Sequence, residues 1–301
     1  MNRKTTIILF LLISSGVFAC INEYRTLLTG EVVHKERSSG LVWTRDIDTQ
    51  KLKEISNHLL QSYERSDSIE YFSDYAATLI YLGEYQKAKK IYQEIEQKSP
   101  NLYTTASNLG TIYELINKPD TALAWIKKSV TLNPNSHGGS EWIHIKILEY
   151  KISKSDDFST SILGLDFGDN PSPMNPHAYE LRKLEEDIKH QLKERLTFIK
   201  PPNKIIGALY FDLGNIIAQT KDVQAAMESY HEAKKYGFES ELLVQRIVTM
   251  QELANKAKPY KQQKQLIDFI KNHIVLLFSL VALTVFLLIV LFILFRKRRT
   301  V

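Results

Sequence analysis

The 301-residue chain carries 39 Lys and Arg against 34 Asp and Glu, a formal net charge of +5, and a single cysteine, which excludes an intrachain disulfide and a CxxC metal site. Six of the basic residues (Arg3, Lys4 and those at 296–299) sit at the two ends with no acid beside them, leaving 33 against 34 in the rest, a net of −1. The basicity therefore belongs to the ends, and no nucleic-acid-binding face is implied.

The N-terminus reads Met1-Asn2-Arg3-Lys4, then an apolar run from Thr5 to Phe18, then Ala19-Cys20. A short basic start, a hydrophobic stretch and a small residue at the cut are the order of a secretory signal. The run is shorter than the roughly 20 apolar residues that a bilayer span needs. Residues 1–19 are read as a signal peptide. Val17-Phe18-Ala19-Cys20 resembles the lipobox of bacterial lipoproteins, with Phe18 where that family has a small residue. The resemblance implies that Cys20 is lipidated on sulfur and becomes the mature N-terminus. Val17 and Ala19 also suit an ordinary signal peptidase cutting the same bond. Residues 20–45 form an irregular segment with one strand signal, Gly30-Glu31-Val32-Val33, and 46–65 predict a helix.

An internal repeat follows. Phe72, Tyr75, Ala76, Leu79, Ala88, Tyr92 and Pro100 recur 34 residues later as Ala106, Leu109, Gly110, Tyr113, Ala122, Ile126 and Pro134. A third copy runs Tyr210, Leu213, Gly214, Ile217, Ala226, Tyr230 and Ala233, with Phe238 in place of the proline. The small residues let the two helices of a hairpin approach, and the large ones fill the space between hairpins. Gly83-Glu84 and Asn117-Lys118-Pro119-Asp120 supply turns, while Pro100 and Pro134 end helices. The pattern resembles the tetratricopeptide repeat. That resemblance implies an all-α solenoid of helical hairpins whose first helices line a groove. It places Ser73, Ala77 and Ile80 there in the first copy, Thr104, Ser107, Asn108, Thr111 and Glu114 in the second, and Ala208, Phe211 and Asn215 in the last, with Glu141 and Trp142 extending the line. Some members of the family hold a peptide's C-terminal carboxylate there with Lys, Arg and Asn. Here only Asn108 answers to that set, with no cation beside it, so an extended peptide or a partner helix is the expected occupant.

Residues 46–136 thus read as a helix and two repeats, and 207–256 as the last repeat and a capping helix (239–256) with Leu242, Leu243, Ile247, Met250 and Leu253 inward. Between them, 137–206 reads as a divergent hairpin: a helix from about Gly139 to Ile152, a long loop over 153–176, and a helix from His177 to Leu196 with Leu181, Leu184, Ile188, Leu192 and Leu196 on one face. Loops of this length are usually functional or disordered.

No chemistry stands out in this stretch. His137 and His144 are seven apart, but no carboxylate spacing completes a metal site. Asp156, Asp157, Asp166, Asp169 and Asn170 lack the spacing of a calcium loop. Gly138-Gly139 is no phosphate loop, and no hydrolase or metalloprotease motif occurs. No catalytic residue, cofactor, metal or small-molecule substrate is expected.

A Lys/Gln-rich linker (257–273) leads to Ile274–Phe295, 22 residues with no charge, about 33 Å as a helix against a ~30 Å hydrocarbon core. This predicts a transmembrane helix. Five lysines flank it on one side and four cations on the other (tail 296–301), so charge does not orient it; the signal peptide does, placing the repeats outside and the tail in the cytoplasm. The expectation is a single-pass protein of the bacterial inner membrane whose periplasmic repeats bind a protein partner. The alternatives are a regulatory subunit acting through its transmembrane helix, and a glycan-binding protein or enzyme using the 153–176 loop.

Overall fold

The computed structural model describes residues 23–26, 32–35, 48–158, 161–221 and 223–255, and 269–271, 273, 274, 278, 280, 281 and 283–287 of the C-terminal segment. The signal peptide, Cys20, most of the linker and the basic tail lie outside the described residues. Among the described residues no helix is long and apolar enough to cross a membrane. Of the span 274–295, residues 275–277, 279, 282 and 288–295 are outside them.

The N-terminal segment holds two short antiparallel strands, β1 (Glu23–Thr26) and β2 (Val32–Lys35), with Glu23 opposite Lys35 and Thr26 opposite Val32. This short hairpin sits beside an otherwise all-helical chain. The strand signal at 30–33 moves two residues on, because the β-branched pair Val32-Val33 finds its partner in Glu23-Tyr24-Arg25-Thr26.

The rest is helical. α1 (Thr49–Ser66) starts where Asp48 Oδ1 accepts from the N–H groups of Gln50 and Lys51. Then come α2 (Ile69–Tyr81), α3 (Tyr85–Lys98), α4 (Tyr103–Leu115), α5 (Pro119–Leu132), a 3₁₀ turn (Ser136–Gly139), α6 (Glu141–Ser153), α7 (Leu181–Leu196), α8 (Lys204–Thr220) and α9 (Val223–Lys235), with a closing helix over 241–255. The 34-residue period is visible in the backbone itself. The bond from Glu84 N–H to Leu79 O recurs from Lys118 to Tyr113, and that from Ser99 to Ile95 recurs from Asn133 to Ser129. The left-handed turn residue is Gly83 (φ 79°) in one hairpin and Asn117 (φ 58°) in the next.

Close helix contact comes from the small residues the repeat supplies. Ala76, Ala88, Ala122 and Ala226 are completely buried. A Cβ on Gly110 would lie 2.4 Å from Ile126 Cδ1, and one on Gly214 2.4 Å from Tyr230 Cε1. α2 pairs with α3, α4 with α5, and α8 with α9, whereas α6 packs on α5 and α7 on α8.

The divergent region departs from its reading in two ways. α7 begins at Leu181 rather than His177. Ala178 is left-handed (φ 53°), and Asn175 clamps the turn by accepting from Tyr179 N–H at 2.8 Å and donating to Tyr179 O at 2.9 Å. The long loop is packed structure: Ile162, Leu163 and Phe167 are buried in the core formed by α6 to α9. The closing helix also differs. Leu253 is 41% exposed, and Arg246, 1% exposed, takes an inward place. Its Nη1 donates to Asn215 Oδ1 at 2.6 Å, its Nε to Asn170 O at 3.3 Å, and its Nη2 to Phe167 O at 3.4 Å and to Gly168 O. Asp166 accepts from Gly168 N–H at 2.8 Å and contacts His177 within the same loop. Asp212, buried on α8, accepts from Ser161 Oγ at 2.6 Å; burial pushes its carboxyl up to about 7, against the pull of Ser161 and Arg246.

Two outcomes follow. Gly214→Ala should lower the urea midpoint of the chain, because overpacking against a rigid ring costs ~1–3 kcal/mol and outweighs the ~1 kcal/mol gain in helix propensity. Asp212 keeps a proton in the folded chain that the unfolded chain releases near pH 3.8. Its effect on stability is therefore unfavourable and growing as pH rises from about 4 to about 7, on the order of 4 kcal/mol at most. Asp212→Asn should flatten that fall in a urea series across pH 4 to 8, whereas an unchanged slope would show that other groups set it.

Candidate functional site

The face built by the first helices of the hairpins is filled by the chain itself. Of the residues expected to line an open groove, Ser73, Ala77, Ile80, Thr104, Ser107, Asn108, Glu141, Ala208 and Asn215 are buried, while Thr111, Glu114, Phe211 and Trp142 are half-buried. Asn108 Nδ2 donates to Tyr92 OH at 2.7 Å, and Tyr92 OH donates to Ser73 O at 2.8 Å, tying α2, α3 and α4 together. Asn215 is spent on Tyr230 OH and Arg246. These side chains hold the array together; in this conformation they do not face a partner.

The filler is α7 with the turn before α6. Trp142 Nε1 donates to Asp187 Oδ2 (3.0 Å), Gln191 Nε2 to Ser140 Oγ (3.1 Å), and Lys183 Nζ to Gly138 O (2.9 Å). Beyond α7, Phe198 stacks on Tyr81 of α2, ring centroids 5.6 Å apart. The turn that admits α7 is three residues in left-handed geometry: His137 (φ 54°), Gly138 (64°) and Gly139 (79°). Two consecutive glycines make that path inexpensive.

Where α4, α6 and α7 meet, three carboxylates and three histidines converge. Glu114 Oε2 lies 2.7 Å from His144 Nε2 and 3.8 Å from Arg195 Nη2, and its Oε1 2.5 Å from Lys151 Nζ. His144 Nδ1 is 3.3 Å from Glu141 Oε2, and the other oxygen of Glu141 makes a close contact with His137 Nδ1. Glu194 Oε1 lies 3.6 Å from His137 Nδ1 and 2.8 Å from His190 Nε2. Burial would raise the carboxyl of Glu114, but Arg195, His144 and Lys151 hold it well below the usual range. Burial likewise works against Glu141, which His137 and His144 hold well below the usual range. His144 is raised. Burial and Arg195 lower it, but Glu114 and Glu141 on its two ring nitrogens prevail. Glu114 and Glu141 thus hold positive charge on the His144 imidazole.

Beside this junction a cleft of about 220 Å³ stays open, lined by Thr111, Glu114, Leu115, His144, Lys151, Glu194, Arg195, Phe198, Ile199 and Asn203. Thr111 and Glu114 are the two expected groove residues that reach it.

The structure also brings together residues that the sequence keeps apart. Sequence spacing offered no set of metal ligands, yet His137, His190 and Glu194 bring ligand atoms within 4.8 Å of one another. The set was hidden because His137 lies in a turn 53 positions before His190. The legible trace was His190 and Glu194 themselves, four apart on one helix face.

Residues 104–136, which are α4, α5 and the start of the following turn, match the family Tetratricopeptide repeat. No curated protein matches the sequence. Among solved structures the chain is similar to a tetratricopeptide repeat protein from Parabacteroides merdae, at 14% identity over 67% of this chain and 78% of that one, TM-score 0.32. It is similar to MamA (41 to end) from Desulfovibrio magneticus at 15% identity over 64% and 97%, TM-score 0.31. The Cut9–Hcn1 hetero-tetramer of the APC/C is matched at 13% identity over 67% and 40%, TM-score 0.35. The chain is a helical-repeat protein with a tetratricopeptide repeat at 104–136.

Proposed function

We propose that this chain is a membrane-anchored scaffold that binds a segment of a protein partner in the cleft between α4, α6 and α7, by recognition and without catalysis. The observation that carries the reading is the make-up of the cleft. Leu115, Phe198 and Ile199 offer an apolar floor, and Glu114, Lys151 and Arg195 set fixed charges of both signs around it. A concave site, apolar with a few placed polar groups, suits a short peptide segment or one turn of a partner helix.

Anchoring rests on the two ends. The N-terminal 20 residues have the order of an export signal, with Cys20 as the site of lipidation. The 22-residue apolar run before the Arg/Lys tail is the right length for a bilayer. Its described side chains support this: Phe278, Val281, Val285 and Phe286 are 71, 52, 50 and 62% exposed. Apolar groups exposed on successive turns and on adjacent positions suit a lipid environment. The repeats then stand on the periplasmic side of the inner membrane, with the tail in the cytoplasm.

Two experiments test this. Full-length protein cross-linked and purified from native membranes should recover a partner with wild type, and Thr111→Arg should cut that recovery at least fivefold. Lys90→Glu, exposed on α3, should leave it unchanged; equal recovery from both variants would sink the cleft as the binding site. For the anchors, fatty-acid labelling should vanish in Cys20→Ala, and removal of residues 274–301 from that variant should release the chain from membranes at alkaline pH. Retention of the doubly altered chain would refute anchoring at the ends.

A further inference from the structure

We propose that His137, His190 and Glu194 form a binding site for one divalent transition-metal ion, Zn²⁺ being the best fit. The three ligand atoms lie within 4.8 Å of one another. His137 Nδ1 and Glu194 Oε1 are 3.6 Å apart, close to the roughly 3.3 Å edge of a tetrahedron with bonds of about 2.0–2.1 Å. Two imidazoles and a carboxylate are borderline donors, which favour zinc and its late first-row neighbours over magnesium or calcium.

The surroundings also point to a cation. Glu141, 3% exposed, places one oxygen against His137 Nδ1 and can serve as the fourth ligand once the ion takes that nitrogen. Oε2 of Glu141 and Oε1 of Glu194 are buried, and the groups that approach them, His144 Nδ1 at 3.3 Å and His190 Nε2 at 2.8 Å, do so without the direction of a good hydrogen bond. Glu194 also lines the open cleft, which gives an ion a path from solvent. His190 and Glu194, one turn apart on α7, present their donors to the same point. The ion would join the turn before α6 to α7.

The probe is Zn²⁺ added to chelator-stripped full-length protein in detergent, followed by calorimetry, with Co²⁺ as a spectroscopic stand-in. The expected result is saturation at one ion per chain, and a visible Co²⁺ absorption of tetrahedral or five-coordinate intensity that Zn²⁺ abolishes. His190→Ala and Glu194→Gln should each weaken binding at least tenfold, while His177→Ala, on the exposed loop, should not alter it. His190→Gln, at a position only partly buried, provides a milder substitution, and the Co²⁺ spectrum of the unaltered chain reads the site without any variant. Absence of saturable uptake, an octahedral Co²⁺ spectrum, or equal loss in His177→Ala would overturn the assignment.

Discussion

The architecture turns on one carboxylate, Glu114, whose side chain is only 10% exposed. It is the point where α4 receives His144 and Lys151 of α6 and Arg195 of α7. A carboxylate withdrawn from water costs several kcal/mol unless cations and donors surround it. Moving α6 away would strip Glu114 of His144 and Lys151, and moving α7 away would strip it of Arg195. Apolar packing supplies the attraction among the helices, and this junction supplies the register.

The same junction explains why a repeat array can look closed and still offer a site. Tetratricopeptide-like hairpins expose the face of their first helices because nothing in the repeat itself covers it. Here α6 packs on α5 and α7 on α8, and α7 still reaches α4 through Arg195, which approaches Glu114 to 3.8 Å. What remains of the face is a small cleft with a fixed charge pattern, in place of a long neutral groove. On the proposed reading, such a cleft would select by placement of a few groups, since only a short segment can enter.

Much of this was legible in the sequence. The period of 34, the hairpin boundaries and the need for Gly or Ala at positions 76, 110 and 214 are local properties, written into each copy. What escaped was non-local. Ser73, Asn108 and Asn215 look like groove residues when each helix is read alone. Only the assembled fold shows that Tyr92, Tyr230 and Arg246 consume the side-chain amides of Asn108 and Asn215, and that Ser73 is buried with its main-chain carbonyl bonded to Tyr92. Arg246 was unreadable for a related reason. A cation on an inward helix position breaks the apolar pattern, and the carbonyl oxygens that justify it belong to the insert. The left-handed turn at 137–139 was visible as two glycines, but its purpose, admitting α7, required the partner helix.

Arg246 reaches back to carbonyl oxygens 76 to 79 residues earlier in the chain. In a regular solenoid each unit touches only its neighbours, so segments add and peel off almost independently. This closing helix cannot find its place until the insert has been laid down, and the insert has no lid until the helix arrives. The C-terminal half is thus knit into one cooperative block assembled through distant contacts, which slows its formation.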